Sequence, residues 1–446
     1  MVLSDLQKKH LIRPLLGLPL LSYGRTGMRA FSTYHPYLGT EPETSMNKNL
    51  INRFGHYLPK PRVMWEGSSM IERGVLQRLV KGYDRVSVAT IGSHSALDIS
   101  EGAKAEGLKS IVLCQKGRET TYEKYYKARK RGKGKVGVID EIILLEKFRD
   151  MAKKEVVARL AKENAVFIPN RSFSVYVGYD AIENDFLVPI FGSRMMLRAE
   201  ERDAKKNQYH LLEKAGIRIP RKFKTPGDID RVAIIKAPEA SRSYERAFFF
   251  ASSPREYEEK AKEMLGRGVV TKEGLGKAVI EEYVVGAQYN FNFFYSPVYG
   301  ELELLGVDTR RQTNLDGILR LPAKEQLEAL KHIEMKTIEV GHIACTLRES
   351  LLEKVFEIGE KFVESCREAY PPGIMGPFAL QGTIIPEKNG EVPVIFDVSL
   401  RVPGSPGTRF TPYTEYLYGK SMSVGRRIAL ELKAAKEAGI LEKCIT

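Results

Sequence analysis

From Met70 onward, apolar and polar residues fall into a regular order. In IERGVLQRLVKGY (71–83) the apolar residues recur at helical spacing, which predicts an amphipathic helix. DRVSVATIGSHSALDISEGAKAEG (84–107) reads as strand, tight loop and helix, and LKSIVLCQKG (108–117) as a second strand entered straight from that helix. Such a βαβ unit implies a parallel sheet. NAVFIPN (164–170) adds another strand, so residues 64–190 are expected to form a small doubly wound α/β domain.

The pattern changes after residue 190. FGSRMMLRAEERDAKKNQYHLLEKAGIRIP (191–220) reads as a long helical stretch ending at Ala-Gly before proline. RVAIIKAP (231–238) and RAFFFAS (246–252) read as strands flanking a polar loop, and SPREYEEKAKEMLGRG (253–268) as a helix opened by a Ser-Pro cap pair. KAVIEEYVVGAQYNFNFFYS and ELELLGVDTRRQ read as long strands. GPFALQGTIIPEKNGEVPVIFDVSLRVPG (376–404) reads as two strands around an Asn-Gly turn. Residues 191–446 are thus expected to be an α+β nucleotide-binding body. The overall class is α/β and α+β.

Residues 1–63 lack this regularity. They are read as an N-terminal extension or as the product of a misassigned start, with Met64 and Met70 as alternative starts. Pro14, Gly17 and Pro19 interrupt the apolar stretch LIRPLLGLPLLSYG, which argues against a signal peptide.

Charge adds little. The net charge is +14, of which residues 1–63 supply +6, so the remainder carries a mild excess suited to phosphorylated substrates. KARKRGKGK (127–135) and RRQ (310–312) are the strongest local arguments for nucleic acid, with a solvated loop as the plainer reading of the first; nucleic acid is not expected as a partner. No apolar run reaches the roughly 18 residues that span a bilayer, so no membrane partner is expected. The four cysteines, Cys114, Cys345, Cys366 and Cys444, are scattered, which fits a reducing cytoplasm. Homo-oligomerisation stays open.

Four places could carry chemistry. A three-residue loop at Lys388-Asn389-Gly390 would set Gln381 opposite Asp397, both oxygen ligands on one face. A two-residue turn would put them on opposite faces. Such a pair suits Mg²⁺, which takes few protein ligands; a salt bridge from Asp397 to Arg401 or another arginine is the alternative. Gly92, Ser93 and His94 lie where a strand of an α/β sheet hands over to a helix, a site for phosphate, and Ser172 follows another strand in the same way. A capping serine with an exposed histidine is the alternative there. Lys236 closes a strand that should be buried and needs an anion, for which a phosphate of ATP would serve. EEYVVG (281–286) offers strand backbone to an adenine ring.

GSHSALDISEGAKAEG, RSFSVYVGYDAIENDFLVPIFGSR, LLEKAGIRIP, IEEYVVG, ELLGVDTR, NLDGILRLPAKEQLE, RESLLEKVFEIGEKFV and PPGIMGPFALQ recur in order over about residues 70–446. They resemble the archaeal formate-dependent purine biosynthesis ligases, formate–phosphoribosylaminoimidazolecarboxamide ligases of the ATP-grasp superfamily. The resemblance implies an ATP-grasp fold with an N-terminal doubly wound pre-grasp domain, and ATP with Mg²⁺ or Mn²⁺ as cofactors. It implies that ATP activates formate as formyl phosphate, which the amine of an aminoimidazole carboxamide ribonucleotide attacks. By position, His94, Ser172 and His342 correspond to substrate-binding residues. Lys236, Arg198, Glu281, Glu282, Val284 and Gln312 correspond to ATP-binding positions, within a segment running from about 225 to 288 for the central ones. Gln381 and Asp397 correspond to metal ligands.

The chain departs from the family pattern where chemistry is expected. PEASRSYER (238–246) replaces a glycine- and arginine-rich phosphate loop, Gln312 stands for a glutamate, His342 for an asparagine and Asp397 for a glutamate. RVPGSPGTRF (401–410) replaces a different glycine-rich loop. These departures suit a divergent paralogue: a ligase of the family's kind, one with another carboxylate and amine, or a catalytically weak nucleotide-binding protein. Lost glycines favour the last; retained Lys236, Asp397 and His94 favour the first, with Arg242 and Arg246 as substitute phosphate contacts.

Overall fold

The computed structural model describes residues 70–202, 204–237, 248–333, 335 and 338–446. The extension and the PEASRSYER loop, with Arg242 and Arg246, lie outside the described residues.

The first sheet is parallel. Strands β1 (Ser87–Ile91), β2 (Lys109–Gln115), β5 (Glu141–Leu145) and β6 (Ala165–Phe167) lie in the order β5-β2-β1-β6. Helix α1 (Arg73–Lys81) precedes it; α2 (Ala96–Ala105) and α3 (Lys154–Lys162) are crossovers, and α4 (Arg171–Val177) follows β6. β1 is buried along its whole length, as a strand covered on both faces must be. The basic run forms a separate exposed ribbon, β3 (Arg129–Arg131) paired with β4 (Gly134–Val136).

The 191–220 segment is not one long helix. A 3₁₀ turn (Met195–Glu200) is followed by the short helix α5 (Gln208–Lys214), capped by Asn207. The cap is the reason: Asn207 Oδ1 accepts from the Tyr209 and His210 amides, which starts a new helix.

Two antiparallel sheets follow. β7 (Lys222–Phe223), β8 (Ala233–Lys236), β9 (Phe248–Ala251) and β10 (Val279–Glu282) form a sheet in the order β7-β10-β8-β9, with α6 (Pro254–Gly266) packed against it. β11 (Ala287–Tyr295), β12 (Leu302–Gln312), β13 (Glu339–Cys345), β14 (Gly376–Glu387) and β15 (Gly390–Ser399) form a sheet in the order β13-β12-β11-β14-β15. The expected long strand from Lys277 therefore breaks at Tyr283–Gly286 and passes from one sheet to the other. Helix α7 (Glu349–Ala369) covers the five-stranded sheet through Val355, Phe362 and Cys366.

A division at residue 190 separates sheets but not cores. The apolar layer beside β1 combines Leu76, Val88 and Ile99 with Phe294, Val402, Ile428 and Leu432, the last two from α8 (Val424–Glu437). α2 and α8 touch backbone to backbone: a Cβ on Gly102 would lie 2.1 Å from the Gly425 carbonyl carbon.

Candidate active site

The strand order reverses between β1 and β6. From β1 the chain runs outward through β2 and β5, then returns to the other side of β1 as β6. Ligands of open α/β sheets bind outside the carboxyl ends of strands at such a point. Here Gly92–Ser95 leaves β1 and Asn170 opens α4. Asn170 Oδ1 accepts from the Ser172 amide at 3.0 Å, and its Nδ2 donates to the Ser93 carbonyl at 3.0 Å. Ser172 Oγ donates to Ser93 Oγ at 2.8 Å. Two loops distant in sequence are thereby stitched into one crevice wall.

His94 stands on that wall with φ at 52°, a left-handed value that non-glycine residues rarely hold outside functional loops. Its Nδ1 lies 3.2 Å from Ser95 Oγ, which donates to the Pro403 carbonyl at 2.9 Å. A Cβ on Gly404 would lie 2.2 Å from the ring, so glycine lets this chain segment close on the histidine. Solvent reaches the residue, yet protein crowds the ring on its Gly404 side. Loss of surrounding water, with the Arg401 charge, pushes its pKa down to about 4, so it is neutral at pH 7.

The second half of the site lies on β8, β10, β14 and β15. Lys236 Nζ pairs with Glu281, lies 3.2 Å from the Phe396 carbonyl and 3.5 Å from Tyr209 Oη. Tyr209 Oη donates to Glu281 Oε2 at 2.9 Å. The anion that Lys236 needs is thus supplied by the chain itself.

The Gln381–Asp397 pairing forms by a route different from the expected one. The turn holds two residues, Lys388 and Asn389, since Glu387 pairs with Gly390. That register alone would place the two side chains on opposite faces. A bulge restores the alignment: Gly382 pairs with Ile395, Gln381 with Asp397, and Phe396 is the extra residue. Phe396 has no partner in the ladder, and its carbonyl takes the Lys236 ammonium instead.

Asp397 has no carboxylate neighbour across the strand. Burial alone would raise its pKa; the charges of Arg202, Lys236 and Arg310 and a hydrogen bond from Gln208 hold it below the usual range. Gln381 Oε1 accepts from Arg310, and its Nε2 donates to Ser399 Oγ at 3.1 Å.

Arg401 joins the two halves. Its Nε lies 3.4 Å from Glu200 Oε1, and Glu200 Oε2 takes Arg171, the residue before Ser172, at 3.2 Å. Burial lowers the Arg401 pKa, Arg171 and Arg310 lower it further, and Glu200 and Asp397 oppose them. A cation crowded by cations in a buried place favours an added anion.

Other expected site residues are placed differently. Arg198 forks onto Glu183 at 2.9 Å through Nε and Nη2 and reaches Asp180 at 2.6 Å. Glu282 pairs with Arg231 at 3.3 Å, and Val284 follows the end of β10 half-buried. Gln312 closes β12, its amide donating to Asp316. His342 faces Asp308 and Glu339 with its two ring nitrogens. Arg202, Tyr209, Glu200 and Arg310 were not among the expected site residues; charge in an otherwise apolar context could have flagged Glu200 and Arg310, and no local signal marks Arg202 or Tyr209.

Among the described residues no three His, Cys, Asp or Glu side chains gather as a metal cluster. Asp397 and Gln381 offer two oxygens on one face, which fits a hard cation that takes its other ligands from phosphate and water. Lys236, Arg202 and Arg310 around them fit a polyphosphate.

Known proteins share this chain's sequence and architecture. A family model described as "Protein of unknown function (DUF1246)" matches residues 88–223, and one described as "Domain of unknown function (DUF1297)" matches residues 256–446. The 5-formaminoimidazole-4-carboxamide-1-(beta)-D-ribofuranosyl 5′-monophosphate synthetase of Methanopyrus kandleri is 41% identical over 84% of this chain and 100% of its own length. Its namesake from Methanothermobacter thermautotrophicus is 40% identical over 85% and 100%. The crystal structure of an IMP biosynthesis protein PurP from Thermococcus kodakaraensis superposes with a TM-score of 0.60 and 27% identity, over 80% of this chain and 100% of that one. The biotin carboxylase domain of Hydrogenobacter thermophilus 2-oxoglutarate carboxylase, at 12% identity and a TM-score of 0.51, covers 78% and 70% and shares the fold. The fold is ATP-grasp with a doubly wound N-terminal domain. The chain therefore belongs to the 5-formaminoimidazole-4-carboxamide-1-(beta)-D-ribofuranosyl 5′-monophosphate synthetase family.

Proposed function

We propose that the protein is an ATP-dependent carbon–nitrogen ligase of IMP biosynthesis that formylates the amine of 5-aminoimidazole-4-carboxamide ribonucleotide. The observation that carries this reading is Arg401, which links the His94–Ser172 crevice to the Asp397–Lys236 cluster through Glu200 and Arg171. One buried cation between two ligand sites suits an intermediate that passes from one to the other.

The nucleotide's phosphate-bearing end lies against Ser93 and Ser172. ATP phosphates lie among Lys236, Arg202 and Arg310, with the adenine along Glu281–Val284 and Gln312. Mg²⁺, when bound at Gln381 and Asp397, neutralises phosphate charge. Arg401 orients formate. A formate oxygen attacks the γ-phosphorus of ATP, the bond to the bridging oxygen breaks, and ADP leaves. The nucleotide amine then attacks the formyl carbon of formyl phosphate, inorganic phosphate leaves, and the amine gives up a proton. Neutral His94 does not repel the amine and can accept that proton. Holding reactants in place and excluding water do most of the work, since acyl phosphates hydrolyse.

The test mixes protein, Mg²⁺, ATP, formate and the aminoimidazole ribonucleotide. Equal amounts of ADP and formylated nucleotide are expected. ATP binding without ADP would discard the ligase reading, and ADP dependent on another carboxylate would change the substrate.

A further inference from the structure

His342 has a carboxylate oxygen at each ring nitrogen: Asp308 Oδ2 at Nδ1, and Glu339 Oε1 at Nε2, 2.8 Å away. Ionised carboxylates only accept hydrogen bonds, so both nitrogens must donate and the ring is an imidazolium. Both N–H groups are thereby committed to the protein. His342 stands inside the site yet acts through other groups.

Those groups lead to the phosphate side. Glu339 Oε2 lies 2.9 Å from Arg310 Nε, and Arg310 donates to Gln381 Oε1, beside Asp397. Asp308 is fully buried and also accepts from Asn290 Nδ2 at 2.8 Å and Asn292 Nδ2 at 2.6 Å. Residues three apart on a regular strand point to opposite faces. Glu339 and His342 nevertheless meet, because β13 is irregular between them: Gly341 pairs with Arg311 and Glu339 with Gln312, leaving Val340 extra. A strand irregularity that re-aims one carboxylate is the kind of feature found beside active sites.

We propose that His342 is a positioning residue: it holds Glu339 against Arg310 and so keeps Arg310 on Gln381 at the phosphate- and metal-binding side. This rests on the reading of the site as an ATP-dependent ligase. The groups facing the ring are Asp308 and Arg310 on β12, Glu339 on β13, His94 on the β1–α2 loop and Ser405 Oγ at 3.4 Å. Burial opposes the charge on the ring, but the hydrogen bonds to Asp308 and Glu339 prevail and push its pKa up to about 9.

The test compares native protein, His342→Asn, Glu339→Gln and the double variant. Steady-state kinetics gives KM for MgATP, formate and nucleotide; calorimetry gives Kd for a Mg²⁺-bound non-hydrolysable ATP analogue; thermal melting monitors folding. Both single variants are expected to weaken MgATP binding by about tenfold, as loss of a supporting partner commonly does. Nucleotide and formate KM should stay within about twofold, and the double variant should be no worse than either single one. A rise confined to the nucleotide or formate KM would overturn the proposal and make His342 a direct contact. Additive losses, or unchanged MgATP binding in folded His342→Asn, would also overturn it. Native protein that neither binds the analogue nor turns over would overturn the ligase reading itself.

Discussion

Lys236 Nζ lies 3.2 Å from the carbonyl oxygen of Phe396, the extra residue of the bulge in β15. One irregularity thus aligns Asp397 with Gln381 and gives the lysine an acceptor between the two sheets. Deleting Phe396 would restore a regular ladder with Asp397 still opposite Gln381 and would remove the carbonyl that accepts from Lys236. The variant should keep strand content by circular dichroism and lose ADP formation. Retained turnover would show that the bulge and its contact with Lys236 are dispensable.

Lys236→Ala separates stability from catalysis. Glu281 is 1% exposed, and losing its cation leaves a buried charge that costs about 3 kcal/mol or more. Adding Glu281→Gln should recover most of the melting temperature without recovering turnover. Recovery of both would make Lys236 a purely structural partner.

Two histidines predict opposite pH effects on stability. His342 is raised to about 9, so its contribution is full below its unfolded value near 6.5 and lost as pH rises through 9. His94 is lowered to about 4, so the unfolded chain takes its proton first and stability falls as pH drops from about 6.5 to 4. Urea midpoints against pH should show a flatter alkaline limb in His342→Asn and a flatter acidic limb in His94→Asn. Unchanged limbs would contradict these environments.

Gly102→Ala tests the closest helix approach. Its new Cβ would lie 2.1 Å from the Gly425 backbone, which cannot yield without parting α2 from α8. A loss of about 3 kcal/mol or more is expected in urea unfolding, and a loss under about 1 kcal/mol would mean the helices separate easily.

Much of this architecture was legible in the chain. Three of the parallel strands, β1, β2 and β6, announced themselves through short β-branched runs, β1 joined to its helix by a Gly-Ser turn, and the Ser93–His94 and Ser172 loops followed from them, whereas β5 gave no such signal. The pairing of Gln381 with Asp397 was reached through a turn that does not exist; Phe396 compensates, and bulges leave no mark in hydrophobic alternation. Asn207 cut an apparent helix in two because a cap outweighs periodicity at one position. Arg202, Tyr209 and Arg310 were hidden because their neighbours lie far away in sequence. The separation of residues 1–63 rests on composition alone.

In the proposed reaction, formate is activated by phosphorylation between the two halves of the site. Formate carrying ¹⁸O at both oxygens distinguishes this directly, by ³¹P NMR of the released phosphate and mass spectrometry of the nucleotide product. If formyl phosphate forms, one labelled oxygen appears in phosphate and the other in the formyl group, with one ADP per product. Unlabelled phosphate accompanying formylated product would contradict the account.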